Sequence, residues 1–216
     1  MKYFNSYKLF YGKDFIKQYF ALSALNMAVI LITGLLMFLI NNEGFHGFMT
    51  GFIPLVCGAF AMGFGFGLVN SVFIGNLPAN PGYKFFHSVA GGAEHFKRAI
   101  LFSNIMSLFP IALYGAVGGL VFRHYIIVVM TVTGLFMMAI TNITSHMTSP
   151  WIRIGSFCVI GFAYGFYAGV NGDEEEGVAV LPLNATIMIC AAVLVFYIVS
   201  LIVVTTTAEK RWSKEG

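Results

Sequence analysis

The sequence predicts an all-α integral membrane protein with six transmembrane helices, because charged residues are scarce and long apolar runs recur. Of its 216 residues, 58% are hydrophobic and only 10% are charged, whereas a soluble domain typically carries about 25% charged residues. Barrel strands alternate in polarity over about 10 residues, while these runs are continuously apolar for about twice that length. Helices are therefore favoured over a β-barrel, and lipid is the solvent expected for much of the chain.

Six segments are long and apolar enough to cross a bilayer, which takes roughly 20 residues in a helix. They are residues 19–40, 52–75, 100–122, 125–143, 151–170 and 183–205. Only Arg123 and His124 separate the third span from the fourth, so we expect a tight turn and a helical hairpin there. The predicted transmembrane domain is 19–206, and residues 207–216 form a cytoplasmic tail.

The distribution of Lys and Arg predicts that both termini are cytoplasmic, since cytoplasmic segments of membrane proteins are enriched in these residues. With the N-terminus inside, eleven of the twelve Lys and Arg residues fall on the inner side, and Arg123 alone falls outside. The acidic run at 173–176 then faces outward. The opposite orientation would reverse this distribution.

Two segments that flank the spans have two interpretations each. Residues 1–18 mix aromatic residues with four lysines, which is typical of an interfacial amphipathic helix; an irregular basic tail is the alternative. Residues 171–184 are half acidic and half apolar. They form either a re-entrant segment in the outer leaflet or a solvated turn before an early start of the sixth span.

The loop at 76–99 is too long to be a simple connector, and the charge distribution makes it cytoplasmic. Pro78 ends any helix that leaves the membrane, and Gly91-Gly92 opens a new helix that carries charged residues. Tyr83, Phe85 and Phe86 are aromatic residues in a polar loop. Aromatic area beside charges is typical of a protein-binding surface; an aromatic belt on the inner membrane face is the alternative.

Several function classes are disfavoured. No charged residue lies at the centre of a span, which argues against an ion-coupled carrier. The chain lacks GxSxG and HExxH, and its three cysteines lie in apolar runs without metal-ligand spacing, so we expect no catalytic, metal or cofactor site. A net charge of +3 without a basic face argues against nucleic acid as a partner.

Glycines one helical turn apart recur within the spans and predict close contacts between helices. These helix-packing glycines are Gly63, Gly67, Gly115, Gly119, Gly161 and Gly165. Packing within one bundle is the first interpretation, and an interface with a second subunit is the alternative.

The order of segments resembles the membrane subunits of ABC-2-type exporters, which have the type V ABC transporter fold. The resemblance rests on the basic segment before span one, on Asn76-Leu77-Pro78 after span two, and on Ala93–Ile100 leading into span three. A tight outer turn and a partly apolar outer loop before span six add to it. The outer loops are shorter than in family members that have a large extracellular domain.

The resemblance implies a permease subunit in a bacterial plasma membrane, driven by two separate ATPase chains that bind ATP and Mg²⁺. A second permease subunit, identical or homologous, would complete the transporter. The loop at 76–99 would couple to the ATPase. The residues implied in coupling are Leu77, Pro78, Tyr83, Phe85, Phe86, His87, Glu94 and Lys97.

A path without midplane charges but rich in Phe and Met suits an amphipathic or hydrophobic cargo, either a peptide or a lipid-like molecule. The 23 Phe and 11 Met residues provide adaptable apolar surface of this kind. The competing function is that of a membrane scaffold, an assembly factor or an immunity protein, which transports nothing and needs no ATPase.

The predicted topology can be tested by cysteine labelling of intact cells. We expect an impermeant reagent to label Glu175→Cys from outside, and to label Lys84→Cys only after permeabilisation, because the two positions lie on opposite sides of the membrane. Labelling of both positions in intact cells would contradict the six-span topology.

Overall fold

The computed structural model describes residues 3, 5–6, 13–40, 44–45, 49, 52–63, 87–88, 90–122, 125–144 and 183–215. This part of the chain is helical apart from short turns, and contains no strand. The main helices are α1 (Lys13–Leu39), α2 (Phe52–Gly63), α3 (Gly92–Leu113), α4 (Gly119–Phe122), α5 (Tyr125–Thr144) and α6 (Leu183–Glu215). A π-helical turn, Tyr114–Gly118, joins α3 to α4 in one continuous rod.

Four stretches of helix are long and apolar enough to cross a membrane. They are Lys17–Leu39, Gly92–Phe122, Tyr125–Thr144 and Leu183–Lys210. The prediction of a helical membrane protein is thereby confirmed, and these helices cover the predicted first, third, fourth and sixth spans. The predicted second span is described only as the shorter apolar helix α2. The predicted fifth span, 151–170, lies outside the described residues.

Two helices extend beyond the apolar runs that the sequence marks. α3 begins at Gly92, eight residues before the predicted third span, and α6 continues to Glu215. Gly91 precedes α3 with φ at 77°, a left-handed conformation that glycine adopts without a Cβ penalty. The prediction that Gly91-Gly92 opens a new helix is confirmed. Charged residues occupy both extensions, so hydropathy alone did not mark them.

α3 and α5 form an antiparallel hairpin, as the sequence predicts. The Asn104 side chain bonds Asn142, which places the middle of α3 beside the end of α5. Farther along, a Cβ added at Gly118 would lie 3.2 Å from Ile127, which places the other end of the rod beside the start of α5. From the first contact to the second, the residue number rises in the α3–α4 rod and falls in α5. The two helices are therefore antiparallel, and the hairpin is confirmed.

α5 and α6 run parallel to each other. The Tyr125 hydroxyl lies 3.3 Å from the Thr186 hydroxyl at the start of both helices. Asn142 lies 17 residues after Tyr125, Ser200 lies 14 residues after Thr186, and these two side chains are hydrogen-bonded to each other. α1 and α3 are also parallel, since Tyr19 contacts Met106 and Gly34 faces Val121. The end of α5 and the start of α6 therefore lie at opposite ends of the bundle.

We name the two ends of the bundle by their residues. The basal end holds the start of α3 and the end of α6, where Lys97 pairs with Glu209; the distal end holds α4 and the start of α5. α1 begins at the basal end because it runs parallel to α3. All seven Lys and Arg residues in the described ranges lie at the basal end: Lys13, Lys17, Lys97, Arg98, Lys210, Arg211 and Lys214.

The buried apolar residues form two separate cores. The basal core contains Tyr19, Phe96, Ala99, Ile100, Ile111, Met138, Ala139, Tyr197, Val204 and Ala208. The distal core contains Met27, Ile30, Cys57, Ala61, Tyr114, Phe122, Ile126 and Ile127. α6 contributes only to the basal core and α2 only to the distal core, while α1, the α3–α4 rod and α5 contribute to both.

The distal core depends on a close approach at Gly58 of α2. A Cβ at this position would lie 2.9 Å from the Tyr114 ring and 3.0 Å from Met130, which is closer than side chains tolerate. We expect Gly58→Leu to lower the free energy of unfolding by about 1–3 kcal/mol or more through overpacking. Thermal unfolding in detergent measures this loss.

The matched control is Ala59→Leu, because the neighbouring Ala59 is exposed on the same helix. We expect this variant to unfold at nearly the parental temperature. Equal losses of stability in the two variants would contradict the packing of α2 described above.

Candidate functional site: the basal end of the bundle

Two buried asparagines face each other between α3 and α5. Asn104 is 0% exposed and Asn142 is 1% exposed. The Asn104 Nδ2 donates to Asn142 Oδ1 over 3.1 Å, and the Asn142 Nδ2 donates back to Asn104 Oδ1 over 2.9 Å. This reciprocal pair fixes the register of the hairpin, because sliding either helix would break both bonds.

α6 completes this buried amide network through Tyr197 and Ser200. The Tyr197 hydroxyl donates to Asn104 Oδ1 over 3.2 Å, and the second hydrogen of the Asn142 amide goes to Ser200 Oγ at 3.2 Å. Ser200 donates to the Tyr197 carbonyl, and the second Asn104 hydrogen goes to the Ile100 carbonyl. Every donor hydrogen on these four side chains therefore has an acceptor.

Because every donor hydrogen of the amide network has an acceptor, the network strongly constrains how the helices pack. A buried amide without a hydrogen-bond partner costs roughly 1–3 kcal/mol on mutational scales, and lipid offers no replacement donor or acceptor. Apolar contacts alone give little preference for one helix arrangement over another in a membrane. The network selects the arrangement in which α3, α5 and α6 meet at these four side chains.

Below the amide network, the last turns of α6 pack against the segment that leads into α3. The Trp212 ring stacks on His87, with centroids 4.0 Å apart and planes inclined by 9°. Trp212 also contacts Phe96, with ring centroids 5.4 Å apart. The end of the 76–99 loop is therefore held by the helical tail of the chain.

Polar contacts surround these rings at the basal end. Lys97 of α3 lies 3.7 Å from Glu209 of α6, and Ser6 Oγ lies 2.9 Å from His95 Nδ1. Arg98 pairs with Glu94 one turn earlier over 3.0 Å. Exposed ion pairs contribute little to stability, so the stacked rings and the buried Ser6 make the stronger links between these segments.

Three of the residues that the sequence implies in coupling lie in the described part of the basal end, each in contact with a residue outside that set. His87 contacts Trp212, Lys97 pairs with Glu209, and Glu94 is exposed beside Arg98. The other residues of that set lie outside the described part of the chain: Leu77, Pro78, Tyr83, Phe85 and Phe86. Their role in coupling stays a prediction.

The predicted helix-packing glycines have different surroundings. A Cβ at Gly115 would lie 3.0 Å from Thr131 of α5, whereas no described atom lies within 4 Å of a Cβ at Gly63 or Gly119. Gly67, Gly161 and Gly165 lie outside the described residues. The tightest approaches in the described bundle occur instead at Gly34, Gly58, Gly115, Gly134 and Gly118.

Sequence reasoning missed the amide network entirely, because only charged residues within spans were weighed as functional candidates. Asn104 and Asn142 lie at opposite ends of two spans that the two-residue turn forces into a hairpin. Folding the hairpin at Arg123 places the two positions at the same level. That register, together with a polar Ser200 in the sixth span, was the signal in the sequence.

A cleft of about 660 Å³ opens on the distal side, between the π-helical turn, α5 and α6. Its wall includes Gly115, Gly119, Thr131, Cys190 and Leu194. The two glycines widen the cleft because they carry no side chain. The lining is predominantly apolar, so the cleft suits a hydrocarbon group rather than an ion.

The described residues contain no cluster of His, Cys, Asp or Glu that could hold a metal ion. No protein-family model, curated protein or solved structure matches the chain. The resemblance to ABC-2-type exporters therefore stays a prediction that rests on the order of segments in the sequence.

The amide network predicts that the Asn142 side chain makes a large contribution to the stability of the protein. We expect Asn142→Leu to lower the free energy of unfolding by about 1–3 kcal/mol, because Asn104 and Ser200 lose their partner. Asn184→Leu, at the exposed start of α6, is the matched control and should leave stability unchanged. Chemical unfolding in mixed micelles measures both variants.

A double-mutant cycle tests whether the two asparagines act as a pair. We expect Asn104→Ala and Asn142→Ala to show a coupling energy of about 1 kcal/mol, the range found for hydrogen bonds between membrane helices. Additive losses would mean that the reciprocal bonds do not hold α3 to α5.

Proposed function

We propose that the chain is the six-span permease subunit of an ABC-2-type exporter in a bacterial plasma membrane. Its termini lie on the cytoplasmic side, and its 76–99 loop couples to separate ATPase chains that bind ATP and Mg²⁺. Two such ATPases and a second permease subunit, identical or homologous, complete the assembly. This chain itself contributes the path through the membrane and no hydrolytic chemistry.

The observation that carries the proposal is the direction of the helices. α1 and α3 run from the basal end, while α5 and α6 both run toward it. Because these consecutive described helices have the same direction, the end of α5 and the start of α6 lie at opposite ends of the bundle. The sequence predicts the fifth span, 151–170, between them. α5 is 20 residues long, or about 30 Å, which equals the thickness of the hydrocarbon core.

The charge of the basal end supports its assignment to the cytoplasm. All seven Lys and Arg residues in the described ranges lie there, and the side of a membrane protein that is rich in Lys and Arg is the cytoplasmic side. Ser6 contacts His95 near the start of α3, and Trp212 contacts His87 in the segment that leads into α3. A loop facing an ATPase would thus lie beside both termini.

The contacts at the basal end give a mechanical basis for coupling. A force on the 76–99 loop would be transmitted directly to α3, which begins within it. It would be transmitted to α6 through the stacking of His87 on Trp212 and the ion pair between Lys97 and Glu209. The amide network then carries α5 with them. ATP-driven closure of the ATPases would therefore move three helices together and open a path between two permease subunits.

The apolar cleft supports a cargo that is amphipathic or hydrophobic, such as a peptide or a lipid-like molecule. The described cleft wall carries no charged side chain, and a charged cargo would lose its hydration there without compensation. The 23 Phe and 11 Met residues of the sequence would give such a path adaptable apolar surface.

Coupling is tested by co-purification from native membranes. We expect the double variant Phe85→Ala, Phe86→Ala to lose its ATPase, since each interface aromatic contributes roughly 2 kcal/mol or more and two therefore weaken docking well over tenfold. The subunit is tagged, and the proteins that accompany it are identified by mass spectrometry.

The matched control carries Phe38→Ala and Phe52→Ala, two exposed phenylalanines at the distal end. This variant should keep the ATPase. If the parent chain purifies with no ATPase at all, the chain is a scaffold, an assembly factor or an immunity protein. If the loop variant keeps its ATPase in full, the loop is a membrane belt and not the coupling element.

A further inference from the structure

The α3–α4 rod carries two irregularities about one turn apart. The first is Pro110, which lies inside α3. Its nitrogen has no hydrogen, so it cannot make the usual α-helical bond to the carbonyl of residue 106. A buried carbonyl that loses its donor is costly in a medium without water. Met106 therefore needs a donor from elsewhere.

Tyr19 of α1 supplies this donor. Its hydroxyl donates to the Met106 carbonyl over 2.6 Å, and the Tyr19 side chain is 3% exposed. The neighbouring Phe20 contacts Phe109 edge to face, with ring centroids 6.2 Å apart. α1 is thus attached to α3 at the position where proline interrupts the helical hydrogen bonds.

The second irregularity is the π-helical turn Tyr114–Gly118. Such turns interrupt α-helices rarely, and often at functional positions. The Tyr114 hydroxyl donates to the Pro54 carbonyl of α2 over 2.7 Å. This bond attaches the rod to α2 at the position where the π-helical turn begins.

The two cores divide at these irregularities. Ile111 is the last residue of α3 in the basal core, and Tyr114 is the first residue of the rod in the distal core. The basal part of the rod is fixed to α5 and α6 by the amide network. The distal part is hydrogen-bonded to α2 and also packs on α1 and α5. Pro110 and the π-helical turn thus lie at the boundary between two packed units.

We propose that residues 110–118 are a joint at which the distal part of the rod tilts against its basal part, and that the Tyr19 hydroxyl is the latch that holds it. Breaking the bond from the Tyr19 hydroxyl leaves the Met106 carbonyl without its donor. The bond therefore favours the conformation seen in the structure. Gly115 lies in the joint and lines the apolar cleft, so tilting changes the width of the cleft. The proposal rests on the geometry of the rod and not on the proposed function.

The latch is tested by measuring the length of the rod in the full chain in lipid nanodiscs. Spin labels are attached at Glu94→Cys and Leu120→Cys, two exposed positions on either side of the joint, with Cys57, Cys158 and Cys190 replaced by Ala. The labels are 26 residues apart, or about 40 Å along a helix. We expect one narrow distance distribution in the parent.

Tyr19→Phe should add a second, shorter distance, with a shift of roughly fivefold in the ratio of the two conformations, as expected for the loss of one hydrogen bond. Tyr125→Phe is the matched control, because its hydroxyl bonds Thr186 of α6 and not the α3–α4 rod. The control should keep the parental distribution. An unchanged distribution in Tyr19→Phe would overturn the proposal.

Pro110→Ala makes the test specific, because alanine restores the N–H that the Met106 carbonyl lacks. In this background Tyr19→Phe should no longer add the second distance. If the second distance persists, the latch does not act on the Met106 carbonyl and the proposal fails. If Tyr19→Phe alone yields no monodisperse protein, recovery of the fold by Pro110→Ala supports the proposal, and the absence of recovery contradicts it.

Discussion

The reciprocal bonds between Asn104 and Asn142 are the constraint on which the basal half of the bundle depends. In lipid, apolar side chains gain little from facing each other rather than the bilayer, so hydrophobicity does not select one packing of helices. Buried amides do select one, because each unpaired group is costly. With Tyr197 and Ser200 added, a single arrangement of α3, α5 and α6 satisfies every donor. The apolar side chains of the basal core then pack around that arrangement.

The same accounting of hydrogen bonds explains how α1 and α2 are attached to the rod. Pro110 removes a donor from α3, and the Tyr19 hydroxyl replaces it. Asn26 of α1 donates to the Cys57 carbonyl, and Tyr114 donates to the carbonyl of Pro54 in α2. Polar side chains thus connect helices whose surfaces are otherwise apolar. Charges play almost no part in this packing, since those described lie at the helix ends.

Composition and hydropathy were sufficient to predict the helical membrane fold, the tight hairpin and the helix opening at Gly91-Gly92. They failed at the end of α6, which continues as a charged, partly exposed helix beyond the apolar run. They also failed at the amide network. Asn104 and Asn142 are 38 residues apart, and their pairing appears only when the hairpin is folded. Hydropathy is averaged over neighbouring residues of the sequence, so it does not detect a pair of residues that are far apart in the sequence.

The central claim is that the two asparagines are paired inside the protein. It is tested most directly by hydrogen exchange of the asparagine side-chain amides, followed by NMR of the full chain in nanodiscs with labelled asparagine. The account predicts that the amides of Asn104 and Asn142 exchange far more slowly than that of the exposed Asn184, and that Asn142→Leu abolishes the protection of Asn104. Exchange of Asn104 and Asn142 at the rate of Asn184 would contradict it.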